Sequence, residues 1–114
     1  MKPQIPFSDF AKLDLRVGKI LEVSLVEGSE KLMQLKVDLG HEVGQKTIYA
    51  GIKQWYTPQA LIGRTLAFAV NLEPKKFHIN GQEYVSEGMM LASGLDEAVL
   101  YTFDKDIPAG TVVR

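Results

Sequence analysis

The chain has 114 residues, 46% hydrophobic and 24% charged, which fits one globular domain with a single core and disfavours disorder. It contains no cysteine, which excludes disulfides, thiolate nucleophiles and cysteine-ligated zinc. Its net charge of −1 is unevenly distributed, because residues 1–76 hold 11 Lys/Arg against 8 Asp/Glu and residues 77–114 hold 2 against 6. A basic face opposite an acidic end and an ordinary mixed surface both fit this distribution.

The N-terminus gives no targeting signal. The first seven residues include Pro3 and Pro6 but no apolar stretch of signal-peptide length. No segment approaches the roughly 18 apolar residues of a membrane span. We therefore expect a cytoplasmic protein without a membrane partner, and the lack of cysteine is compatible with a reducing compartment.

Residues 8–25 predict a short helical turn followed by a long strand. Ser8 is expected to cap a turn that begins at the acidic Asp9. From Leu15 to Leu25 apolar and polar residues alternate, which is typical of a half-buried strand. Gly18 lies inside this run and predicts a bulge or tight bend of the kind that curls a sheet into a barrel.

The middle of the chain continues with short strands and one helix. Alternating or apolar runs predict three strands, over residues 33–39, 47–50 and 66–70. A turn over residues 27–30 and a loop containing Gly44 precede the first two of them. Thr57 and Pro58 predict the N-cap and first position of a short helix that ends before Gly63.

The C-terminal part begins with a hairpin. Asn80 and Gly81 form the strongest short hairpin signal of the chain, between strand-like residues 77–79 and 82–85. Further strands are predicted over residues 89–92, 98–103 and 111–113, with a turn at 108–110. These many short strands, with one or two short helices, predict an all-β fold. We expect a five-stranded OB-fold barrel with additional short strands at the C-terminus, and a single domain over residues 1–114.

The sequence offers little support for catalysis. His41 and His78 are 37 residues apart, with no second histidine at metal-ligand spacing. There is no nucleophile elbow, phosphate-binding loop or dinucleotide fingerprint, and the carboxylates are scattered. We therefore predict a protein that is not an enzyme and that needs no metal and no cofactor.

Residues 71–91 combine charge, aromatic rings and turn residues as no other segment does. Lys75 and Lys76 follow the apolar strand, and Phe77 and Tyr84 lie on the predicted hairpin. Lysines can contact phosphates and aromatic rings can stack on unpaired bases. A solubilising loop and cross-strand packing are the ordinary alternatives for the same residues.

Other cations could line a binding surface on the barrel. Small barrels of this class bind oligonucleotides on the face of strands two and three and at nearby loops. Lys31, Lys36 and Lys53 could lie along such a groove or serve as ordinary surface lysines. Trp55 and Tyr56, before the short helix, are interpreted as a packed lid.

The chain resembles the tRNA-binding domain family over nearly its whole length. The resemblance lies in residues 9–20, 30–32, 35–40, 56–58, 61–63, 70–76, 86–91 and 108–110. Such domains occur at the C-terminus of some methionyl-tRNA synthetases, in synthetase-associated cofactors and as small homodimeric proteins. The resemblance implies an OB barrel that binds tRNA by shape and backbone, with little sequence preference and no catalytic activity.

The resemblance also implies particular site residues. Its motif positions in the tRNA-facing site or its support are Arg16, Lys31, Asn71, Lys75, Ser86 and Met89. The remaining residues predicted to bind tRNA are Lys36, Lys53, Lys76, Phe77 and His78. Ser86 and Glu87 could instead serve the turn itself, since a serine hydroxyl can bond nearby backbone groups. Residues 77–85 form a longer and less basic link than is typical of the family.

Partners and alternatives follow from the same resemblance. It implies a free-standing homodimer that binds tRNA, with an aminoacyl-tRNA synthetase as a further candidate partner. Around residues 37–58 the chain is also similar to CsaA-type export-related chaperones. A dimeric module that binds polypeptides is therefore the alternative, and a large exposed apolar patch would mark it. A domain that only docks onto a synthetase is a third hypothesis.

Overall fold

Most of the strand residues pair in one antiparallel sheet that curls almost to closure. The computed structural model describes residues 1–114. Its strands are β1 (Leu15–Leu25), β2 (Met33–Asp38), β3 (Gln45–Ala50), β4 (Thr65–Ala69), β5 (Lys75–Ile79), β6 (Gln82–Ser86), β7 (Met89–Met90), β8 (Ala92–Ser93), β9 (Val99–Leu100) and β10 (Val112–Val113). Its helices have four residues each and are α1 (Phe7–Phe10), α2 (Gly40–Val43) and α3 (Pro58–Leu61).

The strand β1 is the centre of the sheet, whose order is β3-β2-β1-β4-β7. One edge of β1 is shared, because β10 pairs with Leu15 and Arg16 while β2 pairs from Lys19 onward. The other edge pairs with β4 from Leu15 to Lys19. The β5–β6 hairpin and the β8–β9 pair form two separate small sheets. A long strand that serves three neighbours must bend, and this bend gives the sheet its barrel shape.

The barrel is closed by a turn instead of a full strand ladder. The Glu87 N–H donates to the Thr47 carbonyl at 2.9 Å, and the Thr47 N–H donates to the Glu87 carboxylate at 3.0 Å. The Tyr49 N–H donates to the Ser86 hydroxyl at 2.9 Å. These hydrogen bonds join β3 to the β6–β7 turn. Thr47 and Tyr49 therefore have hydrogen-bond partners on the edge of β3 that no strand covers.

The core fills the barrel with aliphatic side chains around Phe68. The 12 buried residues of its main cluster are Ile20, Met33, Leu35, Val37, Leu39, Ile48, Ala50, Ile52, Leu61, Leu66, Phe68 and Met90. Gly18 faces this cluster from β1. A Cβ atom at this position would lie 2.6 Å from the Phe68 ring and 2.7 Å from Val37, so the close approach requires glycine.

The predicted fold class is confirmed, as an all-β, nearly closed five-stranded barrel of the OB type with extra strands at the C-terminus. The predicted helix after Thr57 is present, and the Ala60 N–H donates to the Thr57 hydroxyl. The predicted hairpin is present as well. Asn80 and Gly81 have φ values of 52° and 79°, as the two central residues of its tight turn require.

Several local predictions were wrong. Ser8 is no cap, because α1 begins at Phe7 with Pro6 as its N-cap. Gly18 pairs regularly with β4, and the register shift of β1 lies between Ile20 and Glu22. The loop before Gly44 contains the helix α2, whose N-cap, Leu39, has no side-chain capping group that would predict a helix. The chain therefore has three short helices. The strands predicted over 89–92 and 98–103 are shorter: β7 pairs only with the last two residues of β4, and β8 pairs only with the two residues of β9.

Gly18→Ala should destabilise the fold by about 1 to 3 kcal/mol, the usual range for overpacking a well-filled core. The added methyl group would meet Phe68, Val37 and Leu39, all of them buried. Urea unfolding monitored by circular dichroism measures the change. Gly51→Ala is the matched control: a Cβ atom there meets nothing within 4 Å, so its free energy of unfolding should stay within about 0.5 kcal/mol. Equal stability of both variants would contradict the packing assigned to Gly18.

Candidate nucleic-acid interface

A groove of about 430 Å³ lies between the β5–β6 hairpin and the outer surface of the barrel. Its lining residues are Leu32, Tyr49, Gly51, Leu72, Glu73, Lys75, Phe77, Ser86, Gly88 and Met89. A shallower extension runs toward the loop of Ser29 and Lys31 and shares Leu32, Gly51 and Phe77 with it. We call the groove and its extension together the hairpin groove.

Three aromatic rings hold the hairpin against the barrel. The Tyr49 ring centroid lies 6.1 Å from that of Phe77 and 5.6 Å from that of Tyr84, both at tilted or edge angles. Phe77 and Tyr84 are cross-strand partners on one face of the hairpin. Such aromatic pairs add to the free energy of packing beyond their buried area. The hairpin is therefore fixed over β3, with Phe77 forming one wall of the groove.

The Tyr49 hydroxyl is satisfied inside this packing. It donates to the Gln34 side-chain carbonyl at 2.9 Å, across the β2–β3 pair. Burial raises the pKa of Tyr49 above its usual value near 10, and the neighbouring Tyr84 raises it further. The phenol therefore stays protonated and can act as a donor at any physiological pH.

Cations lie at both ends of the hairpin groove. The Lys75 ammonium group is 5.1 Å from the centroid of the Phe77 ring and forms no ion pair. Lys31 lines the extension and is exposed. Nearby, the Lys53 ammonium donates to the Ser29 carbonyl at 2.9 Å and braces that loop. The groove thus combines apolar walls with two accessible positive charges.

Ser86 forms part of the floor of the groove. It is buried, with 3% of its surface exposed. Its hydroxyl accepts from the Tyr49 N–H and donates to the Gly88 carbonyl at 3.0 Å. In the same turn, the Glu87 carboxylate accepts a hydrogen bond from the Thr47 N–H on β3. Both side chains therefore serve the turn, which was one of the two roles expected for them.

Arg16 lies in a network of its own. It is buried, and its Nε atom is 2.6 Å from a carboxylate oxygen of Asp14. Its Nη1 atom donates to Glu42 and to the Gly110 carbonyl, both at 3.2 Å. These hydrogen bonds, first to Asp14 and then to Glu42, raise the pKa of Arg16 above its already high value. The guanidinium is permanently charged and ties β1 to α2 and to the turn before β10.

The other predicted site residues lie outside the groove. Asn71 accepts from the Asp14 N–H at 2.7 Å and donates to the Lys12 carbonyl at 2.6 Å, which joins the end of β4 to the N-terminal segment. Lys76 and His78 are exposed and alternate with the groove-facing residues of β5, and His78 is 3.3 Å from Glu83. Lys36 is exposed on the middle of β2. The tRNA contacts predicted for these residues stay predictions.

Tyr49 is central to the groove but is not among the residues predicted from the sequence to bind tRNA. A signal was present, because Thr47 and Tyr49 have the parity opposite to the buried Ile48 and Ala50. This parity directs Tyr49 to the outer face of strands two and three, where this class of barrel binds its ligands. The packing of the hairpin on that ring could not be read from the strand pattern.

The structure shows neither a metal cluster nor a helix suited to a bilayer. No three His, Cys, Asp or Glu side chains come together as candidate metal ligands. The helices have only four residues each, too short to cross a membrane. The groove contains the carboxylate of Glu73, and its extension contains that of Glu30.

Comparison with known proteins identifies the family of this chain. The family described as "Putative tRNA binding domain" matches residues 15–112. The chain belongs to this family. The expected resemblance is thereby confirmed, and the family supports tRNA as the ligand of the chain.

The curated relatives include methionine–tRNA ligases. The chain is 46% identical over 114 residues to the ligase of Methanothrix thermoacetophila, a match that covers 99% of this chain and 16% of the ligase. It is 45% identical over 117 residues to the ligase of Clostridium acetobutylicum, covering 100% of this chain and 17% of the ligase. The chain therefore spans about one sixth of the length of these relatives.

Two solved structures share the fold over the whole chain. The chaperone CsaA from Bacillus anthracis superimposes with a TM-score of 0.83 at 30% identity, covering 98% of this chain and 100% of that one. A MetRS-related protein from Pyrococcus horikoshii gives a TM-score of 0.82 at 30% identity, with coverages of 99% and 100%. The chain is thus similar both to tRNA-ligase domains and to CsaA.

Ser86→Ala should destabilise the protein by about 1 to 3 kcal/mol, because it removes the acceptor of the Tyr49 N–H at a partly buried site. The free energy of unfolding in urea measures this loss. Ser24→Ala on β1 is the control, since Ser24 is exposed and its hydroxyl forms no hydrogen bond within the protein. If both variants unfold at the wild-type urea concentration, Ser86 does not close the barrel.

Proposed function

We propose that this protein binds tRNA through the hairpin groove and catalyses no reaction. The family match over residues 15–112 is the observation that carries the proposal. The groove supports it, because Lys31 and Lys75 lie beside the half-buried ring of Phe77. Charged side chains next to an aromatic wall suit the backbone and the unpaired bases of a folded RNA.

Recognition in this proposal depends on RNA shape and backbone more than on sequence. Sequence readout needs side chains that hydrogen-bond to base edges. In the groove, the Ser86 hydroxyl is already engaged by Tyr49 and Gly88, and the only charged acceptors are Glu73 and, in the extension, Glu30. The remaining side chains offer ammonium groups, rings and aliphatic surface. We therefore expect similar affinities for tRNAs of different sequence.

The structure suggests a division of roles among the predicted residues. We assign direct contact to Lys31, Lys75, Phe77 and Met89, and we add Tyr49 as the support of Phe77. The residues assigned to holding the surface in place are Arg16, Asn71 and Ser86. The residues left for peripheral phosphate contacts are Lys36 and Lys53, whereas Lys76 and His78 lie on the face of β5 away from the groove and are assigned no contact.

Lys75→Ala should weaken tRNA binding severalfold and lower the slope of log K against log salt by roughly 1, the value for one phosphate contact. Titrations of purified protein with mixed folded tRNA between about 50 and 200 mM salt measure both effects. Lys76→Ala removes the same charge from the neighbouring residue on the opposite face of β5. It should bind much more like the wild type.

Comparison of Lys75→Ala with Lys76→Ala tests whether the groove is the binding site. Equal losses in the two variants would mean that the lysines act only through net charge, and the assignment to the groove would be wrong. Absence of tRNA binding by the wild type at low salt would reject the proposed function itself.

Polypeptide binding is the second candidate function, and the apolar lining of the same groove favours it. Leu72 and Met89 are exposed by 42% and 48%, and Leu32 and Phe77 lie beside them. A solved CsaA chaperone shares the fold at 30% identity. Binding of an unfolded polypeptide, with no tRNA binding at low salt, would support this candidate over the first.

We also propose that the protein forms a homodimer through its N-terminal segment. The helix α1 buries no residue, and Ile5, Phe7 and Phe10 are exposed by 63%, 78% and 42%. A helix of four residues is unstable without packing, so this apolar surface needs a cover. A second copy of the chain provides one. The similarity to methionine–tRNA ligases makes an aminoacyl-tRNA synthetase a further candidate partner.

Phe7→Ser together with Phe10→Ser should convert the dimer to a monomer, because both rings leave the proposed interface. Sedimentation equilibrium should show twice the 12.7 kDa of one chain for the wild type and a single chain for the variant. Leu95→Ser is the control, since Leu95 is fully exposed elsewhere and should leave the dimer intact. A monomeric wild type would contradict the proposal.

A further inference from the structure

A second cleft, of about 530 Å³, lies away from the hairpin groove. It is formed where β1 meets the start of β4, beside the segment that precedes β10. Its polar and charged lining includes Lys19, Arg64, Thr65, Thr102, Lys105 and Asp106. We call it the basic cleft.

The basic cleft and the hairpin groove lie at opposite ends of β4. Thr65, at the first end, pairs with Lys19 on β1. Beyond Ala69, at the other end, the chain continues to Leu72 and Glu73 in the groove. Four strand steps separate Thr65 from Ala69, which is about 13 Å. One folded RNA is large enough to reach both sites.

The main chain of Arg64 is held in place by hydrogen bonds to the barrel. The Arg64 N–H donates to the Leu61 carbonyl at 3.0 Å, and the Arg64 carbonyl accepts from the Ile20 N–H at 2.9 Å. The next residue, Thr65, is already in the β1–β4 ladder. The guanidinium therefore projects from an ordered main chain at the rim of the cleft.

The charges of the basic cleft are not balanced within the protein. Three cations line it, Lys19, Arg64 and Lys105, against the one carboxylate of Asp106. None of the three cations forms an ion pair, whereas Arg16 and Lys46 are paired with carboxylates. A local excess of unpaired donors attracts anions, even on a chain whose net charge is −1.

We propose that the basic cleft binds phosphate groups of an RNA backbone, as a second contact for the tRNA held in the hairpin groove. This inference rests on the tRNA binding proposed above. The guanidinium fork of Arg64 matches phosphate geometry, and the two lysines add point charges. Lys19 and Lys105 are exposed, so water and salt weaken their hold on a single small anion. A polyanion that engages all three cations at once overcomes that weakness.

Lys19→Ala with Arg64→Ala tests the proposal. This double variant should lower the slope of log K against log salt for mixed tRNA by about 1 to 2, since each lost phosphate contact contributes roughly 0.7 to 0.9. The matched control is Lys2→Ala with Arg114→Ala, which removes one lysine and one arginine from exposed, unpaired terminal positions. The control should keep the wild-type slope.

The outcomes separate this inference from the proposed function. A wild-type slope in the cleft variant, while Lys75→Ala still weakens binding, would overturn the inference and leave the hairpin groove as the RNA site. Equal slope losses in the cleft variant and its control would also overturn it, because net charge would then explain the change. A wild type that binds no tRNA would reject both.

Discussion

The turn of Ser86, Glu87 and Gly88 is the constraint on which the site depends, because it closes the barrel. Its side chains and main chain bond to Thr47 and Tyr49 where a strand partner is missing. Gly88 passes so close to the barrel that a Cβ atom would lie 2.9 Å from the Ala69 carbonyl. The closed turn brings β6 and Met89 beside β3, and the hairpin groove is the space that remains between them.

Much of the fold could be predicted from sequence, because its signals are local. Alternation marked β1, Thr57 and Pro58 marked α3, and Asn80-Gly81 marked the hairpin. The roles of the site residues were harder to predict from the sequence. Arg16 has the polar parity of an exposed residue, yet it is buried against Asp14 and Glu42, and Glu42 is 26 residues away in the chain. The alternation of polar and apolar residues along a strand cannot predict such a tertiary contact. The role of Tyr49 likewise depends on where the hairpin packs.

The distribution of charge explains how an acidic chain could bind the anionic ligand proposed for it. The net charge of −1 is no guide to a surface on which cations gather in particular places. Arg16 is neutralised by its carboxylates and serves the fold. Lys75, by contrast, forms no ion pair and lies beside the ring of Phe77 in the hairpin groove. Local pairing, more than the total charge, decides which cations remain free for phosphate.

The most direct test of the central claim is to map the bound tRNA on the protein by amide chemical shifts of the isotope-labelled chain. Mixed folded tRNA should shift the amide signals of the residues around the hairpin groove, at Lys31, Tyr49, Phe77 and Met89, whether or not the basic cleft also responds. Shifts that spare these residues, with saturation reached elsewhere on the surface, would contradict the hairpin groove as the tRNA site.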